Sequence, residues 1–555
     1  MSKKNFLSLI LIVLFLAGCG SITSHTPNTS FQNFTQSLFQ SEVSANTISL
    51  QYTLKNPEAY DVNTQDITFG SFIHDDLATL SYLENVTNAL ESFPYEKLSS
   101  ENQLTYDVLS YYLNISKENV NFSIYEEPLS PSTGVHAQLP ILLAEYPLYN
   151  KEDVETYLAL LDTFPSYINS LIAFEKEKTV CGLFMSSSVA DTVISQCNSF
   201  IEMGETNYLL STFEERVKGI DNISSQECNH YIKQNQTLVS SKIIPSYKKL
   251  MQSIYQFKNS SKNEEGLCYF PKGKKYYELL VRCATGSSRS ISEMKELIQN
   301  QMNDDLLNLS SNGISTIPSI NMSPSEIVDD LKAGITNTFP HPADVSVTIK
   351  EVPHALEAHL SPAFYLIPPI DHYEDNTIYI NNGHLTDDIS LYTTLAHEGY
   401  PGHLYQTTYF ASTNPNPLRT WLNFIGYVEG WATYAEMCSY YISPLDKTTA
   451  TFLQKNNSII LGIYATADIG IHYDGWSEED TLKYFQSFGI GDKETIHEIY
   501  TLILGDPANY LSYYVGYLEI LELKKEFKGT QMEFHKRLLE IGPAPFEIID
   551  AVISY

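Results

Sequence analysis

The residues that invite a chemical reading sit in one short run, LAHEGYPGHLYQ, at 395–406. It holds His397, Glu398 and His403. Imidazole nitrogens bind divalent metal ions, and a carboxylate beside them can act as ligand or as base. Zinc peptidases commonly carry two such histidines four residues apart on one helix, as HExxH. Here the separation is six, with Pro401 and Gly402 in between. On a straight α-helix six residues turn through about 600°, which leaves His403 roughly 120° from His397. Proline removes that obstacle. Pro401 has no N–H, and its ring meets the carbonyl of His397, four residues back. Gly402 tolerates the dihedrals of a local break. The Pro-Gly pair predicts a bulge or unwound turn that swings His403 back beside His397.

Such a pair needs a third donor. The run YVEGWATYAEMC (427–438) offers Glu429 and Glu436, seven residues apart and therefore on one helical face. Solvated surface acids are the plain alternative for both. Their neighbours Tyr427, Val428, Trp431 and Tyr434 predict burial instead, where an unpaired carboxylate is costly. Glu429 is read as the third ligand and Glu436 as a carboxylate supporting the ligands. Two histidines, one carboxylate and a water make a catalytic zinc set, so Zn2+ is the expected cofactor. Glu398 is then free to act as general base. Further along, DIGIHYDGW spaces Asp468, His472 and Trp476 by four, one helical stripe. Asp468 could orient His472, and His472 could donate to a developing oxyanion; a buried structural pair is the alternative. Tyr513 in LSYYVG is a second candidate donor, against a background of 39 tyrosines. Tyr365 in FYLIPPID reads as core packing.

The elements that must position these groups are mostly helices. Asn150 with Asp153, Ser290 with Glu293, and Ser323 with Pro324 and Glu326 are helix starts. Another helix is expected from Ser477 to near Gly489. The metal-ligand run itself continues a helix that Thr386 would cap. Strand patterns are few, VSVTIKEV at 345–352 and NTIYIN at 376–381, both just upstream of the opening motif. The expectation is a mainly α protein: one large helical domain, residues 36–555, with a small β-sheet beside a metallopeptidase-type active-site cleft.

The N-terminus reads as a leader. Lys3 and Lys4 precede the apolar run FLSLILIVLFLAG, which ends at Cys19. LAGC resembles the bacterial lipoprotein box, which implies a signal peptide over residues 1–18, lipid on Cys19 and an extracytoplasmic protein anchored to the membrane. Residues 19–35, rich in Ser, Thr and Asn, read as a polar tether. The six remaining cysteines lack a CxxC spacing and read as structural or free. With 34 basic and 66 acidic residues, a net charge of −32 excludes a basic nucleic-acid footprint. Neither a phosphate-binding GxxxxGK[ST] loop nor a GxSxG elbow occurs, so no nucleotide is implied.

Taken together, HEGYPGH, EGWATYAE, DIGIHYDGW and PANYLSYYVG resemble the bacterial domain-of-unknown-function family numbered 885. GVHAQLP, GKKYYELLVR and the tail FHKRLLEIGPAPFEIID extend the resemblance over most of the mature chain. The resemblance implies a zinc-peptidase-like site of gluzincin type, with His397, His403 and Glu429 as ligands and Glu398 as base. The chain departs from the family pattern at Leu404, at IYATAD before the DIGIH element, and at Lys524 and Lys525. Those departures touch substrate anchoring rather than the metal site. The expected function is zinc-dependent hydrolysis of peptides. The alternative is a non-catalytic lipoprotein that binds a peptide or partner around a structural metal. Structural zinc takes four protein ligands and three are offered, which favours the open, catalytic arrangement.

Overall fold

The computed structural model describes residues 26–62, 66–309, 319–352, 357, 361–384 and 387–554. The described chain is mostly helical, with one three-stranded sheet. Side-chain caps fix where many helices begin. Reciprocal capping boxes stand at Asn150–Asp153 and Ser323–Glu326, where the sequence predicts them, and at Ser477–Asp480, where it predicts a helix start. Ser290 and Glu293 exchange the same pair of bonds.

Two large apolar cores organise the described residues, with a small third cluster at Phe122, Tyr276 and Leu279. One gathers α1 (Pro27–Val43) with the C-terminal helices. The other is built chiefly by α2 (Lys151–Cys181), α3 (Ser187–Glu202) and α4 (Ile244–Lys258). α5 (Gly273–Thr285) belongs to the first core through Tyr277 and Val281. The sheet lies between the two. Its order is β1 (Ser346–Glu351), β3 (Asp375–Ile380), β2 (Ala363–Leu366), so β2 is an edge. β1 runs parallel to β3 and β2 antiparallel to it, with Tyr365 opposite Ile378. Successive strand residues face opposite sides. Phe364 and Tyr379 accordingly enter the second core, while Tyr365, Ile378 and Ile380 enter the first. Burial on both faces explains the unbroken apolar runs AFYL and IYI. At four residues β2 is too short to show a period in the sequence.

The polar tether needs correction. From Pro27 onward that run is helix α1, capped by Thr26. Phe31, Thr35, Phe39 and Val43 are buried, one residue in four, so a helical stripe hides inside a linker-like composition. The signal segment and Cys19 lie outside the described residues. Among the described residues no helix is long and apolar enough to cross a membrane. The six described cysteines are free thiols.

Candidate metal centre

The site begins with a helix that stops in time. α6 (Asp388–Glu398) is capped by Asp387, whose side chain accepts from the N–H groups of Ile389 and Ser390. Thr386, the expected cap, lies outside the described residues. α6 ends at Glu398, and α7 (His403–Ser412) starts at His403. The break over 399–402 is complete, sharper than a bulge, and its Tyr400–Pro401 bond is cis. A Cβ on Gly402 would stand 1.8 Å from the carbonyl oxygen of His397, so only glycine lets the chain fold back over the end of α6. Trp431 pins the turn by donating its indole N–H to the Pro401 carbonyl at 2.8 Å. The imidazoles of His397 and His403 come together as expected, centroids 4.8 Å apart and planes at 86°.

α8 (Ile425–Ile442) brings up the carboxylates. Glu429 Oε2 lies 3.7 Å from His397 Nε2 and 3.4 Å from His403 Nε2. Two turns on, Glu436 Oε2 is 3.2 Å from His397 Nδ1. Asn457, on α9 (Lys447–Ile469), donates to the other oxygen of Glu436 at 2.7 Å. Glu398 is held differently: its Oε2 accepts the Tyr365 backbone N–H at 2.8 Å. Donor atoms of His397, Glu398 and His403 also lie within 4.8 Å of one another, so two carboxylates compete for the third place. Glu429 is the better candidate. It faces both Nε2 atoms, whereas one oxygen of Glu398 is committed to the edge strand.

Nitrogen and carboxylate oxygen are the donors zinc prefers, and Glu436 fixes which nitrogen of His397 is free. His397, His403 and Glu429 thus fit a divalent ion. The protonation states follow the same geometry. Burial disfavours a charged imidazole at His397, but Glu429 and Glu436 outweigh it and raise the group to about 10. Burial also disfavours the Glu429 carboxylate; His403 and His397 overcome it and hold that carboxyl well below its usual range.

α10 (Asn509–Glu526) supplies Tyr513, whose ring stacks 6.3 Å from that of His397 with planes 24° apart. The charge of Glu429, then burial, then Glu398 push the phenol well above its ordinary range. It therefore stays protonated and able to donate. α8 and α10 touch backbone to backbone. A Cβ on Gly430 would lie 2.4 Å from the Gly516 carbonyl carbon, and one on Gly516 would lie 2.2 Å from the Gly426 oxygen. This glycine seam sets the separation of Glu429 and Tyr513.

His472 does not join them. α9 ends at Ile469 and the chain passes through a wider turn at Gly470–Asp474, so the Asp468–His472–Trp476 stripe is broken. His472 is fully buried. Its Nδ1 accepts the Leu267 N–H at 3.2 Å and its Nε2 donates to the Ile503 carbonyl at 2.9 Å. No proton is left for a substrate, and burial lowers the group to about 4. Asp468 does not orient it; Asp468 accepts from the Tyr277 hydroxyl at 2.6 Å and from Ala508 N–H at 3.0 Å. Lys524 is an internal brace, its ammonium donating to the Tyr434 hydroxyl at 2.7 Å.

Two solved structures share this fold. A candidate lipoprotein of Colwellia psychrerythraea superposes with a TM-score of 0.80, at 18% identity over 95% of this chain and 98% of that one. A candidate lipoprotein of unknown function from Shewanella oneidensis gives 0.60, at 16% identity over 95% and 99%. No curated protein matches the chain. The profile of the bacterial proteins of unknown function termed DUF885 matches residues 74–305 and 322–553, a span that holds His397, Glu398, His403, Glu429, Glu436 and Tyr513. The chain belongs to the DUF885 family.

Proposed function

We propose that this protein is an extracytoplasmic zinc metallopeptidase, anchored by lipid on Cys19. The observation that carries the reading is Glu429 facing both His397 and His403 while Glu398 stands beside the pair, oriented by the Tyr365 N–H. A divalent ion held by the three ligands would polarise a water molecule and the scissile carbonyl. Glu398 takes the proton of the attacking water and passes it to the leaving amine. Tyr513, kept protonated by its anionic neighbours, donates to the developing oxyanion. Glu436 and Asn457 hold His397 in the required orientation.

The test is Glu398→Gln. Glutamine is nearly isosteric, so fold and zinc content stay as in the wild type. Peptide hydrolysis falls by roughly a hundredfold to ten-thousandfold. Digestion of a broad peptide library, read by mass spectrometry beside zinc analysis and thermal melting, decides it. Zinc lost with the mutation makes Glu398 a ligand. A wild type that cleaves no peptide sinks the reading and leaves the binding lipoprotein with a structural metal.

A further inference from the structure

A cavity of about 410 Å³ lies not at the metal ligands but next to them. The link is helical register. Ile425 lines the cavity, and Glu429 follows one turn later on the same face of α8. Asn509 and Ser512 line it too, and Tyr513 is one turn beyond Asn509 on α10. Four residues of helix advance about 6 Å, so the cavity opens about one turn from the reacting groups. Asp506, also in the wall, adds to the charge that keeps Tyr513 protonated, behind Glu429, burial and Glu398.

The wall is apolar where it meets open space. Tyr111, Tyr112, Ile115, Phe270, Leu280 and Ile425 all line it, and all are half-buried rather than packed away. Apolar surface kept wet inside a folded molecule is surface that a ligand can dry. The charged groups of the lining set what is refused. Its two cations are already paired, Lys178 with Glu127 at 2.5 Å and Arg282 with Glu118. Its carboxylates are Glu126, Glu127, Glu265 and Asp506. An acidic residue entering this space would lose its water and find no unspent cation.

We propose that this cavity is the subsite for bulky apolar residues of the substrate peptide, those flanking the bond at the metal centre, and that it rejects acidic ones. This rests on the peptidase reading for its substrate class but not for its binding test. Titration calorimetry with acetyl-Phe-Leu-amide, acetyl-Ala-Ala-amide and acetyl-Asp-Asp-amide measures it on the full chain. The apolar probe binds roughly tenfold to hundredfold more tightly than the alanine one, the range a hydrophobic pocket can supply. The acidic probe does not bind. Ala284, half-buried at the end of α5, lines the cavity, and a larger side chain there is the change chosen to fill it. Ala284→Phe removes the preference while keeping the wild-type melting temperature; if it fails to fold, Ala284→Leu is read the same way and shows a partial loss. Equal affinity for the three probes, or a preference untouched in the folded Ala284 variant, overturns the proposal. Selective binding with no peptide cleaved leaves the subsite standing and defeats the peptidase. Cleavage without preference, unchanged in the variant, does the reverse.

Discussion

His397, half-buried, and His472, fully buried, both lie among aromatic rings near the ends of helices, and both sit in motifs with an acidic residue close by. What separates them is the partner of each nitrogen. His397 has carboxylates at both, Glu429 and Glu436, and is raised to about 10. His472 has backbone at both, Leu267 N–H and Ile503 C=O, and is lowered to about 4. The facing carboxylates hold a cation at His397, a proton that a metal ion would have to displace; at His472 a backbone acceptor and a backbone donor use up the proton and the lone pair. A histidine is thus assigned by what satisfies it, not by its spacing from an aspartate.

The comparison is broken most forcefully at the ligands. His403→Ala and Glu429→Ala should each weaken zinc binding by more than the roughly 10–100-fold expected of an outer partner. His472→Gln should keep wild-type zinc. Competition against a calibrated chelator, with metal analysis, reads all three; zinc lost from His472→Gln and kept in Glu429→Ala would invert the assignment.

A smaller effect is due at the support. Glu436→Gln loses the charge facing His397 Nδ1 and should cost roughly 10–100-fold in zinc affinity. Asn457→Ala, one contact further out, should cost less than Glu436→Gln. An Asn457 variant weaker than the Glu436 variant would mean that the carboxylate does not transmit the effect.

The mildest change sharpens the other side. His472→Gln breaks one or both backbone bonds and should destabilise the fold by about 1–3 kcal/mol at pH 7. This gap should narrow in acid. The folded group titrates at about 4 while an unfolded histidine titrates at about 6.5. Between those values the unfolded chain binds the proton and the folded wild type does not, so wild-type stability falls as pH drops. The variant lacks this loss, and the difference shrinks by up to about 1.4 kcal/mol per pH unit. Urea denaturation of both proteins at pH 7 and pH 5 measures it; a constant gap would mean that His472 is not neutral in the fold.

Much of the centre was legible because its signals are local. Pro401 and Gly402 announce a broken helix, and the aromatic neighbours of Glu429 announce burial. The donors that hold Glu398 and Glu436 were not legible. One is a backbone N–H at Tyr365, which no side-chain pattern marks. The other is Asn457, on a helix that pairs with α8 only in three dimensions. The glycine seam left a trace, since Gly426 and Gly430 are four apart, but its partner Gly516 is far away in sequence. The second core and the sheet shared between both cores depend on long-range packing, which periodicity does not encode.

The broken helix has a consequence for the proposed metal centre. Two histidines on one continuous helix keep their spacing whatever that helix does. Here each belongs to a different helix, and the chain over 399–402 joins them. The distance between the ligands is therefore a measure of how α7 is seated against α6. An ion that binds only the seated arrangement stabilises it by mass action, and whatever unseats α7 lowers the affinity by the same free energy. In the proposed centre, metal occupancy and the docking of α7 would be two readings of one equilibrium.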